Sequence, residues 1–228
     1  MATGAGLNAD FSKRVVVDTQ AIDWQPSPSA TVWRKRLDLA GPKETGRVTS
    51  IVRYDPDSEF PQHEHPDGEE IFVLEGVFSD EYGHYPAGTF LLNPQGFSHA
   101  PRSRPGCVLF VKLRQYPGPD RRQISHDTRA VRWEHGPAEG IEVQTLYREP
   151  GHPEVIRLVR LAAGATWPRV VYPGGAEVYV IEGAVSDGTD ALGAGTWLRQ
   201  PAGAAFPLRS ETGALFYLRT GHLAAHAA

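Results

Sequence analysis

Hydrophobic residues in this chain fall in short runs rather than along a helical stripe. Arg47–Tyr54 and residues 70–74, 89–92 and 108–113 are rich in Val, Ile, Phe and Leu, and Gly or Pro recurs every few residues between such runs. No run sustains a 3.6-residue period long enough to predict a helix, whereas short apolar segments between frequent turn signals predict strands. The pattern therefore predicts an all-β protein of sandwich or barrel type.

The pattern also occurs twice. Asp18-Thr-Gln-Ala-Ile-Asp-Trp24 returns as Asp127-Thr-Arg-Ala-Val-Arg-Trp133, and Glu70-Ile-Phe-Val-Leu-Glu-Gly76 returns as Glu177-Val-Tyr-Val-Ile-Glu-Gly183. The spacing is 109 residues for the first pair and 107 for the second, a difference that the loop at 41–46 can absorb. The 107-residue spacing then holds for Ser79-Asp80 with Ser186-Asp187, Gly88 with Gly195, Pro94 with Pro201, Gly96 with Gly203 and Gly106 with Gly213. Two copies of one fold are expected, residues 1–118 and 119–228, joined near 117–122. At 228 residues the chain is long enough for each copy to bury a modest core.

Composition narrows the function classes. A net charge of −4 gives no electrostatic reason to expect nucleic acid as a partner. No apolar run approaches the roughly 18 residues of a membrane span, and the first ten residues have neither the basic start nor the apolar stretch of a secretory signal, so the expected location is the cytoplasm. The single cysteine, Cys107, excludes an intramolecular disulfide and a zinc site built on paired cysteines. A small-molecule ligand is the expected partner, with homodimerisation as a role for the second copy.

Chemistry concentrates in the first copy, in His63-Glu-His65-Pro-Asp-Gly-Glu69 and a later His99. His63 and His65 stand two apart, so on a strand both rings project from one face. Pro66-Asp67-Gly68 reads as a turn that brings Glu69 back beside them, and His99 follows the Pro94-Gln-Gly96 turn on a later strand. Three imidazoles and one carboxylate converging inside a barrel suit one divalent transition metal, with iron or zinc expected first and manganese, nickel or copper also compatible, rather than calcium or magnesium.

The pattern His-x-His-x3-Glu-x6-Gly, followed by Gly-x5-Pro-x-Gly-x2-His, resembles the two signature motifs of the cupin superfamily, small jelly-roll barrels. The phrase from Phe60 to Thr89 resembles ChrR-type cupins in particular, the metal-binding module of a zinc-dependent anti-sigma factor. The likeness is close over about 11–116 and weaker over 120–220. It implies two tandem cupin domains with His63, His65, Glu69 and His99 as metal ligands. It departs from the family at Asp57, where a Gly is usual, and at Ser103, where Asn is usual; neither is a ligand.

The ligand positions of the first copy correspond to Val170, Tyr172, Ala176 and Phe206 in the second, none of them a ligand of the cupin kind. The second copy is thus expected to keep the fold without a metal. Tyr172, Arg169 and Arg199 are the polar groups it offers if it holds an organic ligand instead. Elsewhere, His84, His126, His135, His152, His222 and His226 are expected at the surface, Cys107 as a small buried residue, and Glu70 on the face opposite Glu69. Tyr54, Tyr85 and Phe97 are expected in the core more than against a substrate.

Two functions follow from the resemblance. One is a mononuclear, dioxygenase-like enzyme acting on a small ketone-type molecule. The other is a metal-dependent sensor or regulatory protein, although the chain lacks the cysteines of the anti-sigma protein's helical zinc module. A structural metal closed by four ligands is the third reading open to the same residues.

Overall fold

The computed structural model describes residues 6–118 and 120–223. His226, residues 1–5 and Pro119, at the expected join of the copies, lie outside them. Among the described residues the helical structure is one 3-10 turn, Thr19–Ala21, and the rest of the regular structure is antiparallel β. No helix is long and apolar enough to cross a membrane.

Two units form. In the first, the main sheet runs in the order Ile124–Asp127, Thr89–Asn93, Glu69–Ser79, Cys107–Leu113, Arg47–Tyr54, Val32–Ala40 and Gln25–Pro26. Shorter pairs complete the unit: His63–His65 with Phe97–His99 as a separate two-stranded sheet, and Ser58–Glu59 with Arg102–Ser103, which joins the end of Glu69–Ser79 through Arg102 opposite Ser79. Alternate residues of the long strands point to the inside of the unit, where Val32, Tyr54, Ile71, Val73, Phe78, Leu91, Leu109 and Val111 form the core. The second unit repeats the order with Val15–Asp18, Thr196–Gln200, Ala176–Ser186, Ala214–Thr220, Val155–Leu161, Ile141–Arg148 and Glu134–His135, and Thr166–Val171 pairs with Ala205–Arg209.

The units exchange a segment relative to the expected halves at 118/119. Asp10–Ala21 belongs to the second unit, and the first extends through Val131. Val15–Asp18 pairs with Thr196–Gln200, placing Val15 opposite Arg199. Its repeat, Ile124–Asp127, pairs with Thr89–Asn93, placing Ile124 opposite Leu92. Each strand ends the same way: the Thr19 hydroxyl donates to the Gly195 carbonyl at 2.7 Å and the Thr128 hydroxyl to the Gly88 carbonyl at 2.6 Å. The repeated Asp-Thr of the sequence is the end of an exchanged edge strand.

The departure at Asp57 has a backbone cause. Its φ is +56°, in the left-handed region where glycine is favoured and Asp is one of the few other residues tolerated.

Candidate metal centre

Strand register places the imidazoles. His63–His65 pairs antiparallel with Phe97–His99, with His63 opposite His99 and His65 opposite Phe97. After His65 the chain must reverse sharply to start Glu69–Ser79. Gly68 makes this reversal at φ +72°, where a Cβ would also lie 2.8 Å from that of Tyr116. The His65 carbonyl then accepts from the Gly68 amide at 3.2 Å and from the Gly96 amide at 2.8 Å. One carbonyl thus ties together the two turns that deliver Glu69 and His99.

The rings of His63, His65 and His99 form a near-equilateral triangle, with centroids 4.7, 5.0 and 5.2 Å apart. One nitrogen of each ring lies within 4.8 Å of the others. His65 Nε2 and His99 Nε2 are 3.0 Å apart, and Glu69 Oε2 lies 3.4 Å from the first and 3.6 Å from the second. Ligands at about 2.0–2.2 Å from one ion stand roughly 3–3.5 Å from each other, so these spacings fit a common metal.

The surroundings fix which atoms are available. His63 Nδ1 faces the Pro61 carbonyl at 2.9 Å, and His99 Nδ1 faces Asp80 Oδ2 at 3.2 Å. Both partners only accept, so both Nδ1 atoms carry the proton and both Nε2 lone pairs point to the cluster. Asn93 Nδ2 donates to Glu69 Oε2 at 2.9 Å. Asp80 is itself held by the amides of Tyr82 and Gly83 and by the Tyr85 hydroxyl.

Charge follows from these contacts. Burial works against ionisation of Glu69, but His65, His99 and Asn93 more than offset it, and the carboxyl sits below its ordinary value. Burial lowers His65 and keeps it neutral, against the pull of Glu69. In His99 burial opposes protonation too, yet the Asp80 hydrogen bond and Glu69 raise its pKa. The ionised carboxylate and the neutral His65 are forms that bind a metal, whereas a metal would have to displace the proton that Asp80 and Glu69 favour on His99.

The cluster opens to a cavity in two parts. The inner part, about 100 Å³, is walled by Val32, Val52, Tyr54, Phe78 and Leu109 and reaches His63, His65, Glu69 and His99. The outer part, about 300 Å³, shares Arg34, Val52, Phe60, His63 and His65 with it and adds charged residues from the strand Val32–Ala40 and the loop after it.

The three predicted histidines come together, and Glu69 lies against two of them, His65 and His99. Asp80 and Asn93 were not singled out as site residues, and the one sequence signal for either was the repeated Ser-Asp. Tyr54 does line the cavity, and Tyr85 reaches Asp80 rather than the cavity wall. Glu70 faces the opposite side of its strand and accepts from the Tyr116 hydroxyl. Cys107 is buried, and burial pushes its thiol up to about 11. His222 corrects the expectation of a surface residue: it is buried and bonds Glu177 at 2.8 Å, an acidic partner distant in sequence.

In the second unit Val170 stands opposite Phe206, as His63 stands opposite His99. Trp167, Tyr172, Ala176 and Phe206 join one apolar core, where Trp167 Nε1 donates to the Tyr172 hydroxyl at 2.8 Å. Arg169 is exposed, and the buried Arg199 donates to the Asp10 carbonyl at 3.0 Å, so neither joins Tyr172 in a site.

A family model described as the ChrR Cupin-like domain matches residues 12–117 and 121–224. No curated protein matches the chain in sequence. Among solved structures, a protein of Nostoc punctiforme provisionally named a dioxygenase is similar at TM-score 0.78 and 16% identity, covering 95% of this chain and 85% of its own. Salicylate 1,2-dioxygenase of Pseudoaminobacter salicylatoxidans, with gentisate, is similar at 0.66 and 16%, covering 92% and 81%. A pirin of Escherichia coli in complex with nickel(II) is similar at 0.69 and 12%, covering 91% and 98%. At these identities the likeness is one of fold.

Proposed function

Because the chain belongs to the ChrR Cupin-like domain family, we propose that His63, His65, Glu69 and His99 hold one divalent transition metal and that the protein is a dioxygenase-like enzyme acting on a small ketone-type molecule. The observation that carries this reading is the cavity that opens onto the histidine triangle. A structural metal needs no such opening, whereas a catalytic one needs room beside its ligands.

Iron or a related ion in such a site supplies Lewis-acid polarisation of a carbonyl and, for iron, redox chemistry with oxygen. The protein's own residues do the rest. Asp80 and the Pro61 carbonyl hold the His99 and His63 rings in one tautomer, and Asn93 orients the Glu69 carboxylate. Val32, Val52, Phe78 and Leu109 give the part of the cavity beside the histidines an apolar side against which a ligand's body can pack. The second unit, whose core is filled, acts as support, and a homodimer is the assembly this reading favours.

The test is elemental analysis of anaerobically purified protein together with oxygen uptake on a panel of β-diketones and hydroxyketones. Iron with substrate-dependent oxygen uptake is expected. Tight zinc with no turnover on any of them would overturn the enzyme reading and favour the sensor.

A further inference from the structure

The strand Val32–Ala40 turns alternate residues inward, and after the core residue Val32 the next two such positions are Arg34 and Arg36. Arginine facing the inside of a barrel is costly to desolvate and calls for a reason. The second unit sharpens the question. Arg34 pairs with Val52 in register, and the corresponding pair there is Val143 with Val159, both in the apolar core. The second unit has no arginine at the Arg34 position; its arginine on this face is Arg157, one pair further on opposite Thr145 and electrostatically coupled to Tyr172.

Arg34 and Arg36 share one carboxylate. Glu44, on the loop after their strand, meets Arg34 through two bonds of 3.0 and 3.2 Å and Arg36 through one of 3.1 Å. The arginine side chains are 18% and 7% exposed, while Glu44 is 46% exposed, so the anion is the movable member of the set. Arg34 Nε is buried with no hydrogen-bond partner among the described residues, although Arg34 lines both parts of the cavity. The outer part carries four cationic side chains, Arg34, Arg36, Lys43 and Arg114, against the two carboxylates Glu44 and Glu64. Among the described residues the ion-pair partner of Arg114 is Asp67, at 3.9 Å.

We propose that the cavity takes a small organic acid, with its carboxylate bound by Arg34 and Arg36 in the place that Glu44 now occupies and its apolar body directed along Val52 and Phe60 to the histidines. A planar guanidinium pair matches a carboxylate in geometry as well as charge. Which end of the ligand meets the histidines rests on the metal reading above; the anion subsite does not.

The experiment compares pentane-2,4-dione with 2,4-dioxopentanoate, which carries a carboxylate in place of one methyl group. Each is titrated calorimetrically into the full chain, with and without bound metal, and metal content is measured on every sample. The acid is expected to bind about tenfold more tightly than the dione in both forms, as a charged hydrogen-bonded pair permits. Arg34→Gln should bring the two ligands to about the same affinity, and Glu44→Gln should tighten the acid alone by about threefold. Equal affinities in the wild type, or a preference that survives in folded Arg34→Gln, overturn the subsite. If Arg34→Gln does not fold, Glu44→Gln decides, and no gain there overturns it. Absence of bound metal would sink the metal reading alone, since the metal-free titration still judges the subsite.

Discussion

The carbonyl of His65 accepts from the amides of Gly68 and Gly96, and the carbonyl of Tyr172 accepts from those of Gly175 and Gly203. Around the first carbonyl stand His63, Glu69 and His99; around the second stand Val170, Ala176 and Phe206. The backbone device is thus the same while the side chains are exchanged as a set. Supporting residues change with them. Asp80 spends one oxygen on the amides of its own turn and the other on His99, whereas Asp187 caps the amides of Thr189 and Asp190 in the same way and turns its other oxygen to Arg14 at 2.7 Å. The same turn and barrel are therefore built around imidazoles in one unit and around apolar side chains in the other, which leads us to expect that the fold does not depend on a metal.

The largest expected effect tests that statement directly. His63→Ala and His99→Ala should lower bound metal by at least about tenfold while circular dichroism stays that of the wild type. Chelation should likewise leave the protein folded, with stability reduced only by linkage, about 4 kcal/mol when free metal is a thousand times its Kd. Thermal melting of metal-free protein checks this, and global unfolding on chelation would break the comparison by making the site structural.

Next in size is the mirror experiment in the filled barrel. Phe206→Ala should destabilise the second unit by about 3–5 kcal/mol, since it leaves a cavity among Trp167, Tyr172 and Leu208. Urea unfolding reads the loss, and metal content should not change. A smaller effect separates the two aspartates. Asp80→Asn should weaken metal binding by about 10–100-fold through the orientation of His99. Asp187→Asn should leave metal binding intact.

The smallest effect is in pH. Burial opposes ionisation of Asp187, but the amides of Asp190 and Thr189 and the Arg14 guanidinium outweigh it, so its folded pKa lies below the ordinary 3.8. A depressed carboxyl contributes stability above its unfolded pKa and loses it as pH falls through the folded value. Wild type should therefore lose melting temperature below about pH 4 more steeply than Asp187→Asn, and equal slopes would remove this contribution.

The clustering of these four residues was legible because they lie within a local pattern of strand alternation and turns: His63 and His65 two apart, Glu69 after Gly68, His99 after Gly96. Asp80 and Asn93 were not, because each acts on a residue far from it in sequence, His99 and Glu69, that the fold brings near. His222 was misread for the same cause, its partner Glu177 lying 45 residues away. The fold class and the duplication could be read from turn spacing and internal identity. The partner of Val15–Asp18 could not, since a strand's own residues do not name the edge it joins.

That exchanged strand has a consequence for dissecting the molecule. A fragment cut between the sequence repeats would begin with Val15–Asp18 and contain no Thr196–Gln200 to receive it, while its own Thr89–Asn93 would have lost Ile124–Asp127. Both severed edges would expose backbone donors and acceptors, and the complementary fragment would supply the missing strand. The boundary of the sequence repeat and the boundary of the folded units are different places, and fragments meant to stand alone must follow the second.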